Sequence, residues 1–201
     1  MKQWIYTFQR EYRPNENVTL CIFPPLPFIS YVQGKLKDCK NVCVGAQTIS
    51  SCEKGSYTGE VTASILEGVA QYAIIGHSER RSLFSETDAQ LEEKVKRSID
   101  CGITPVYCVR DEKDPIPTEV KFVAYEPLAS IGTGKNEPPE ETVAMKKKIH
   151  LPKDAIFIYG GSVNENNASE YVATGEIDGF LIGKACLDPK RFIGIARTAH
   201  M

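Results

Sequence analysis

The sequence reads as an α/β chain folded as an incomplete (β/α)8 barrel, with seven recognisable strands and one covering helix absent. Two observations carry this reading. Short runs rich in Val, Ile and Phe recur along the chain, and most are apolar on both faces, as strands of a parallel sheet covered by helices must be. Between most of them lies a polar or Gly-rich turn followed by a helical pattern, which is the signature of βαβ units.

Taken in order, Met1–Tyr12 places Trp4, Ile5, Phe8 and Tyr12 near helical spacing, so the chain enters on a helix and the barrel's first strand is missing from the pattern. Strands are expected at Thr19–Phe23, Val42–Gly45, Tyr72–Gly76, Thr104–Val109, Lys121–Tyr125, Ala155–Tyr159 and Gly179–Gly183. Ala63–Gln71 should be a helix burying Ile65, Leu66 and Val69. Ser85–Cys101 should be another, with Leu91, Val95 and Ile99 forming its apolar stripe and Lys94, Lys96 and Arg97 a solvated face. Arg110–Val120 holds two prolines and no apolar stripe, so it should connect its strands without a helix.

At 201 residues the chain suits one large domain or two small ones, and a single barrel domain over residues 1–201 is expected. Apolar residues at 42% suffice for a sizeable core. A net charge of −2 without a charged tail gives no reason to expect nucleic acid or a membrane as partner, so any anionic ligand must be held by local donors. The seven cysteines contain no C-x-x-C pair and several lie in apolar runs, which fits reduced core thiols in a cytoplasmic protein and no metal site. No segment has the length of a signal peptide's apolar core or of a membrane span.

In such barrels the chemistry sits at the C-terminal ends of the strands. Those ends bring His77 and Glu126 to one rim, and Gly160-Gly161-Ser162 and Gly183-Lys184 follow the last two strands, where a phosphate site is usually built from backbone N–H groups. A small phosphorylated substrate and acid–base chemistry by Glu126 and His77 follow. The plainer readings are a solvated strand-end carboxylate, a hydrogen-bonded rim histidine and an ordinary glycine turn. His150 and His200 read as surface residues.

These residues resemble the triosephosphate isomerase family over nearly the whole chain. The stretches that carry the resemblance are Tyr72-Ala73-Ile74-Ile75-Gly76-His77-Ser78-Glu79-Arg80-Arg81, Ala124-Tyr125-Glu126-Pro127 with Ile131-Gly132-Thr133-Gly134-Lys135, and Tyr159-Gly160-Gly161-Ser162-Val163. Ile177–Gly183, Val44-Gly45-Ala46-Gln47 and Gly55–Glu60 are similar to further strands and to a dimer-forming loop. The resemblance implies the TIM-barrel fold and interconversion of dihydroxyacetone phosphate and glyceraldehyde 3-phosphate without a cofactor, in glycolysis and gluconeogenesis. It implies Glu126 as the proton-moving base and His77 as a neutral imidazole polarising the carbonyl. The polar stretch Ser78-Glu79-Arg80-Arg81 can begin a helix next to His77, which disfavours the charged ring. Glu79 would be a supporting carboxylate, and it also fits an ion pair with an arginine. The phosphate would be gripped at Gly132, Ser162, Gly183 and Lys184 under a lid at residues 127–135. Thr58 would reach into the site of a neighbouring subunit in a homodimer.

The chain departs from the family's pattern at several points. No Asn-x-Lys occurs at a strand end, where the family carries a lysine on its first strand. Ala129 stands for the lid tryptophan, Lys184 for the second glycine of the phosphate loop, and Arg110-Asp111 for a Gly-Glu pair. The alternative is a non-catalytic relative that retains the fold and phosphate binding.

Overall fold

A computed structural model describes residues 1–128 and 136–198. Among these residues seven parallel strands form one sheet in sequence order: β1 (Leu20–Ile22), β2 (Val42–Ala46), β3 (Tyr72–Ile75), β4 (Thr104–Val109), β5 (Phe122–Tyr125), β6 (Ile156–Tyr159) and β7 (Gly179–Phe180). Consecutive parallel pairing at every step is the order of an incomplete barrel. The expected last strand is cut to its first two residues, because Gly183 already leads into a single 3-10 turn at Lys184–Leu187.

Laid flat, seven strands at 4.7–4.9 Å spacing would hold the outermost two roughly 28 Å apart. Phe23, just past β1, and Leu181, just past β7, instead pack against the same cluster as Ile74, Val106, Cys108 and Ala124. The sheet therefore curls, and these alternate side chains fill its concave face.

On the convex face lie α1 (Lys2–Glu11), α2 (Ile29–Leu36), α3 (Ala63–Leu66), α4 (Ser78–Leu83), α5 (Asp88–Asp100), α6 (Pro139–Lys146), α7 (Ala168–Val172) and α8 (Pro189–Thr198). The Trp4, Ile5, Phe8 and Tyr12 stripe places α1 against α8: Trp4 stacks on Phe8 at 5.2 Å, and Phe8 lies 6.4 Å from Phe192. Trp4 Nε1–H donates to the Cys186 carbonyl at 2.9 Å, tying α1 to the 3-10 turn that precedes α8.

Three expectations about helices need correction. The helix at Ala63 ends at Leu66, because Glu67 is not helical and Gly68 turns at φ +73°; Ile65 is 61% exposed, while Leu66 is buried. The helix expected from Ser85 starts at Asp88. Ser85 sits at φ +52°, and Thr87 closes a capping box with Gln90. On α5 the buried stripe is Leu91, Lys94, Val95 and Ser98, with Ile99 at 42% exposure. Lys94 is thus not on a solvated face. It is only 4% exposed and ion-paired to Glu86 at 2.5 Å, with Thr48 accepting a hydrogen bond from its ammonium at 3.1 Å. Burial pulls its pKa down from the ordinary lysine value against the raising influence of Glu86. Lys96 is exposed, and Arg97 pairs with Glu53 and Glu93.

Residues 110–121 contain no helix, as the prolines require. Arg110 and Asp114 pin this connector, with two guanidinium bonds at 3.0 and 2.6 Å and one from the Arg110 N–H at 2.7 Å. The seven cysteines are free thiols, Cys108 buried and the others half-buried. Among the described residues no helix is long and apolar enough to cross a membrane.

Candidate active site

His77 leaves the end of β3 as the N-cap of α4, and its Nδ1 accepts from the Glu79 N–H at 3.3 Å. The strand-to-helix turn depends on Gly76 at φ +75°, where any other L residue would be strained. A Cβ there would also meet Leu91 and the Arg81 guanidinium at 3.0–3.3 Å. Arg81 Nε holds the Gly76 carbonyl at 2.9 Å, while its remaining nitrogens reach Asp88, Tyr107 and the Cys108 carbonyl.

Glu126 follows β5 directly and is 1% exposed. Its Oε2 accepts from the Ser78 N–H at 2.8 Å, and its Oε1 lies 2.9 Å from His77 Nε2. A buried carboxylate is costly unless hydrogen-bonded, and here one oxygen faces a helix N-terminus and the other an imidazole. With Nδ1 accepting from the Glu79 N–H, the ring's proton belongs on Nε2, donating to Glu126.

Burial opposes charge on the His77 ring, but the hydrogen bond and charge of Glu126, helped by Glu79, outweigh it and raise the imidazole's pKa above its ordinary value. This runs against the expectation that the start of the helix holds the ring neutral. The reason is that base and imidazole bond each other in the free site. Glu79 is 67% exposed, with Oε2 3.8 Å from His77 Nδ1. Cys108, fully buried beneath Glu126, has its thiol pushed well up by burial and by that carboxylate.

Gly160, on the loop after β6, gives Glu126 its room. A Cβ there would stand 2.9 Å from Glu126 Cγ and 3.1 Å from the Tyr125 carbonyl. Its neighbour Gly161 is fixed by Tyr159, whose Oη would lie 2.2 Å from an added Cβ. Ser162 is half-buried, Gly183 and Lys184 are exposed, and Asn167 Nδ2 holds the Ser162 carbonyl at 3.0 Å. Gly183 stands at φ −84° and caps the 3-10 turn that begins at Lys184. Lys184 is not among the residues of positive φ, so the Cβ it carries in place of a glycine meets no backbone strain.

The structure thus brings Glu126, His77 and Glu79 together, while Ser162, Gly183 and Lys184 stand on the loops after β6 and β7. Thr58 lies exposed in the turn before Gly59. Gly132, Ala129 and most of the expected lid fall outside the described residues, as does His200; His150 is exposed. Sequence reasoning missed Ser78 as the backbone donor to Glu126, Gly160 as its space and Cys108 as its floor. Strand alternation could have found Cys108, which lies two residues beyond the inward-facing Val106.

A family model described as triosephosphate isomerase matches this chain over residues 1–120 and 114–199. A relative named triosephosphate isomerase from Thermus thermophilus is 34% identical over 232 aligned positions, covering 98% of this chain and 91% of its own. Those of the same name from Aquifex aeolicus and Hahella chejuensis are each 34% identical, covering 96% and 91% of this chain and 91% and 86% of theirs.

Proposed function

This chain belongs to the triosephosphate isomerase family, and on that premise we propose that it interconverts dihydroxyacetone phosphate and glyceraldehyde 3-phosphate through an enediolate, as one barrel domain. The observation that carries the proposal is the buried Glu126 carboxylate, 2.9 Å from His77 Nε2 and held by the Ser78 N–H. A carboxylate so placed is a general base within reach of an imidazole donor, the pair that shifting a proton between adjacent carbons needs.

Substrate entering between the two side chains parts them. Glu126 takes the proton from the carbon next to the carbonyl and returns it to the neighbouring carbon. Nε2–H of His77 donates to the oxygen on which negative charge develops, and this stabilisation grows toward the transition state. Once Glu126 turns to the carbon, the influence that raised the His77 pKa is removed, which favours the neutral ring. Glu79 keeps the far side of the ring oriented.

The phosphate is gripped by backbone N–H groups of Gly132, Ser162 and Gly183, with Lys184 supplying positive charge at the turn after β7. A second copy completes a homodimer through the segment carrying Thr58, which fits the exposed Tyr57 beside it and the exposed Phe84, which lines one cleft with Gly59. The reaction needs no cofactor and belongs to cytoplasmic glycolysis and gluconeogenesis.

The test is turnover of glyceraldehyde 3-phosphate by the purified chain, with Glu126→Gln in parallel. The substitution should lower kcat on the order of 10²–10⁴-fold while leaving phosphate-ligand affinity within a few-fold. A folded wild-type chain without turnover would favour the non-catalytic reading.

A further inference from the structure

Glu137 has both its backbone and its carboxylate engaged. Its N–H donates to Tyr159 Oη at 3.0 Å, and its carbonyl accepts from Tyr171 Oη, which also accepts from Asn136 Nδ2 at 3.0 Å. Its Oε2 accepts from Tyr125 Oη at 3.0 Å and its Oε1 from Thr142 Oγ1 at 3.1 Å. The partners come from β5, β6, α6 and α7. The three tyrosines are at most 2% exposed and form a run of rings, Tyr125 to Tyr159 at 6.4 Å and Tyr159 to Tyr171 at 4.5 Å.

A carboxylate brought against so apolar a layer is costly unless its oxygens are bonded, and here both are. Tyr125 immediately precedes Glu126, and successive strand residues face opposite sides of a sheet. Glu137 therefore grips the outer side of the strand end whose inner side carries the proposed base. Burial, followed by the charge of Glu137, pushes the Tyr125 phenol's pKa up, so the phenol stays protonated and donates at any ordinary pH.

We propose that Glu137 is a positioning residue for Glu126, fixing through the Tyr125 phenol the direction in which the carboxylate leaves β5; this rests on the isomerase reading above. The charged groups facing the His77 ring are Glu126 and Glu79, so the ring's titration reports where Glu126 stands without any turnover.

The experiment compares the wild-type chain with Glu137→Ala, Glu137→Gln, Tyr125→Phe and the Tyr125→Phe/Glu137→Ala pair. It reads kcat and KM for glyceraldehyde 3-phosphate, the His77 titration midpoint by 15N NMR, and the thermal midpoint. Glu137→Ala and Tyr125→Phe should each lower kcat about tenfold with KM within twofold, as expected for a reacting group misplaced by a fraction of an ångström. The pair should be no slower than the worse single variant, and Glu137→Gln, which keeps an acceptor, should retain most of the rate. In Glu137→Ala the His77 midpoint should fall as Glu126 drifts from Nε2. Unchanged kcat and midpoint, or losses that multiply in the pair, would overturn the proposal whatever happens to the thermal midpoint. If wild type itself gives no turnover, the isomerase reading falls alone, and the His77 midpoint still decides the role of Glu137.

Discussion

Glu126 and His77 are bonded at 2.9 Å while the carboxylate is 1% exposed, so the carboxylate bears directly on the charge state of the ring. The histidine's pKa is lowered by burial but raised more by Glu126, leaving it above the unfolded value of about 6.5. A group raised on folding stabilises fully below its unfolded pKa, and that stabilisation is lost as pH rises through the folded pKa. Thermal midpoints of wild type and His77→Gln followed from pH 5 to 9 should therefore differ most at the acid end and converge as pH rises. A gap independent of pH would mean that the pair carries no charge-dependent coupling.

At the scale of elements, the loop after β6 works by what it lacks. Gly160 permits the Glu126 side chain to lie across it, and an added methyl 2.9 Å from Cγ and 3.1 Å from a backbone carbonyl has no flexible tip to displace. Gly160→Ala should move the carboxylate and lower kcat by about 10²-fold, with a stability cost of about 1–3 kcal/mol from overpacking. Steady-state kinetics beside denaturant melts would separate the two. Arg81 does the complementary work on the other strand, its guanidinium fastening the Gly76 carbonyl and so the turn from which His77 projects.

Over the whole molecule, the sheet curls until side chains near β1 and β7 share one cluster, yet among the described residues those two strands do not pair. Parallel edges left open invite further pairing. The outer layer is nevertheless continuous there: α1 and α8 meet through Trp4, Phe8 and Phe192, and Trp4 is bonded to the Cys186 carbonyl. Phe8 is fully buried in that seam. Phe8→Ala should cost about 3–5 kcal/mol in chemical denaturation, because it leaves a ring-sized void where the two ends of the sequence meet. A loss under 1 kcal/mol would mean that the seam does not hold the barrel together.

The order of strands, the helix-free connector at 110–121 and the meeting of His77 with Glu126 were legible in the sequence. Strands buried on both faces must be apolar throughout, prolines stop helices, and a parallel barrel gathers its strand ends on one rim. The glycines of the site were legible as a motif, but their purpose was not, since Gly160 is explained only by how close Glu126 comes from another strand. Tertiary packing also decided that Lys94 is buried: a lysine on a helix reads as solvated until Glu86, eight residues earlier, is folded back against it. Ile99 and Ile65 went the other way, exposed because among the described residues no element covers their side of the helix. Local pattern fixes which residues can be strand or helix. Which face of a helix is covered, and which charge finds a partner, depends on neighbours distant in the chain.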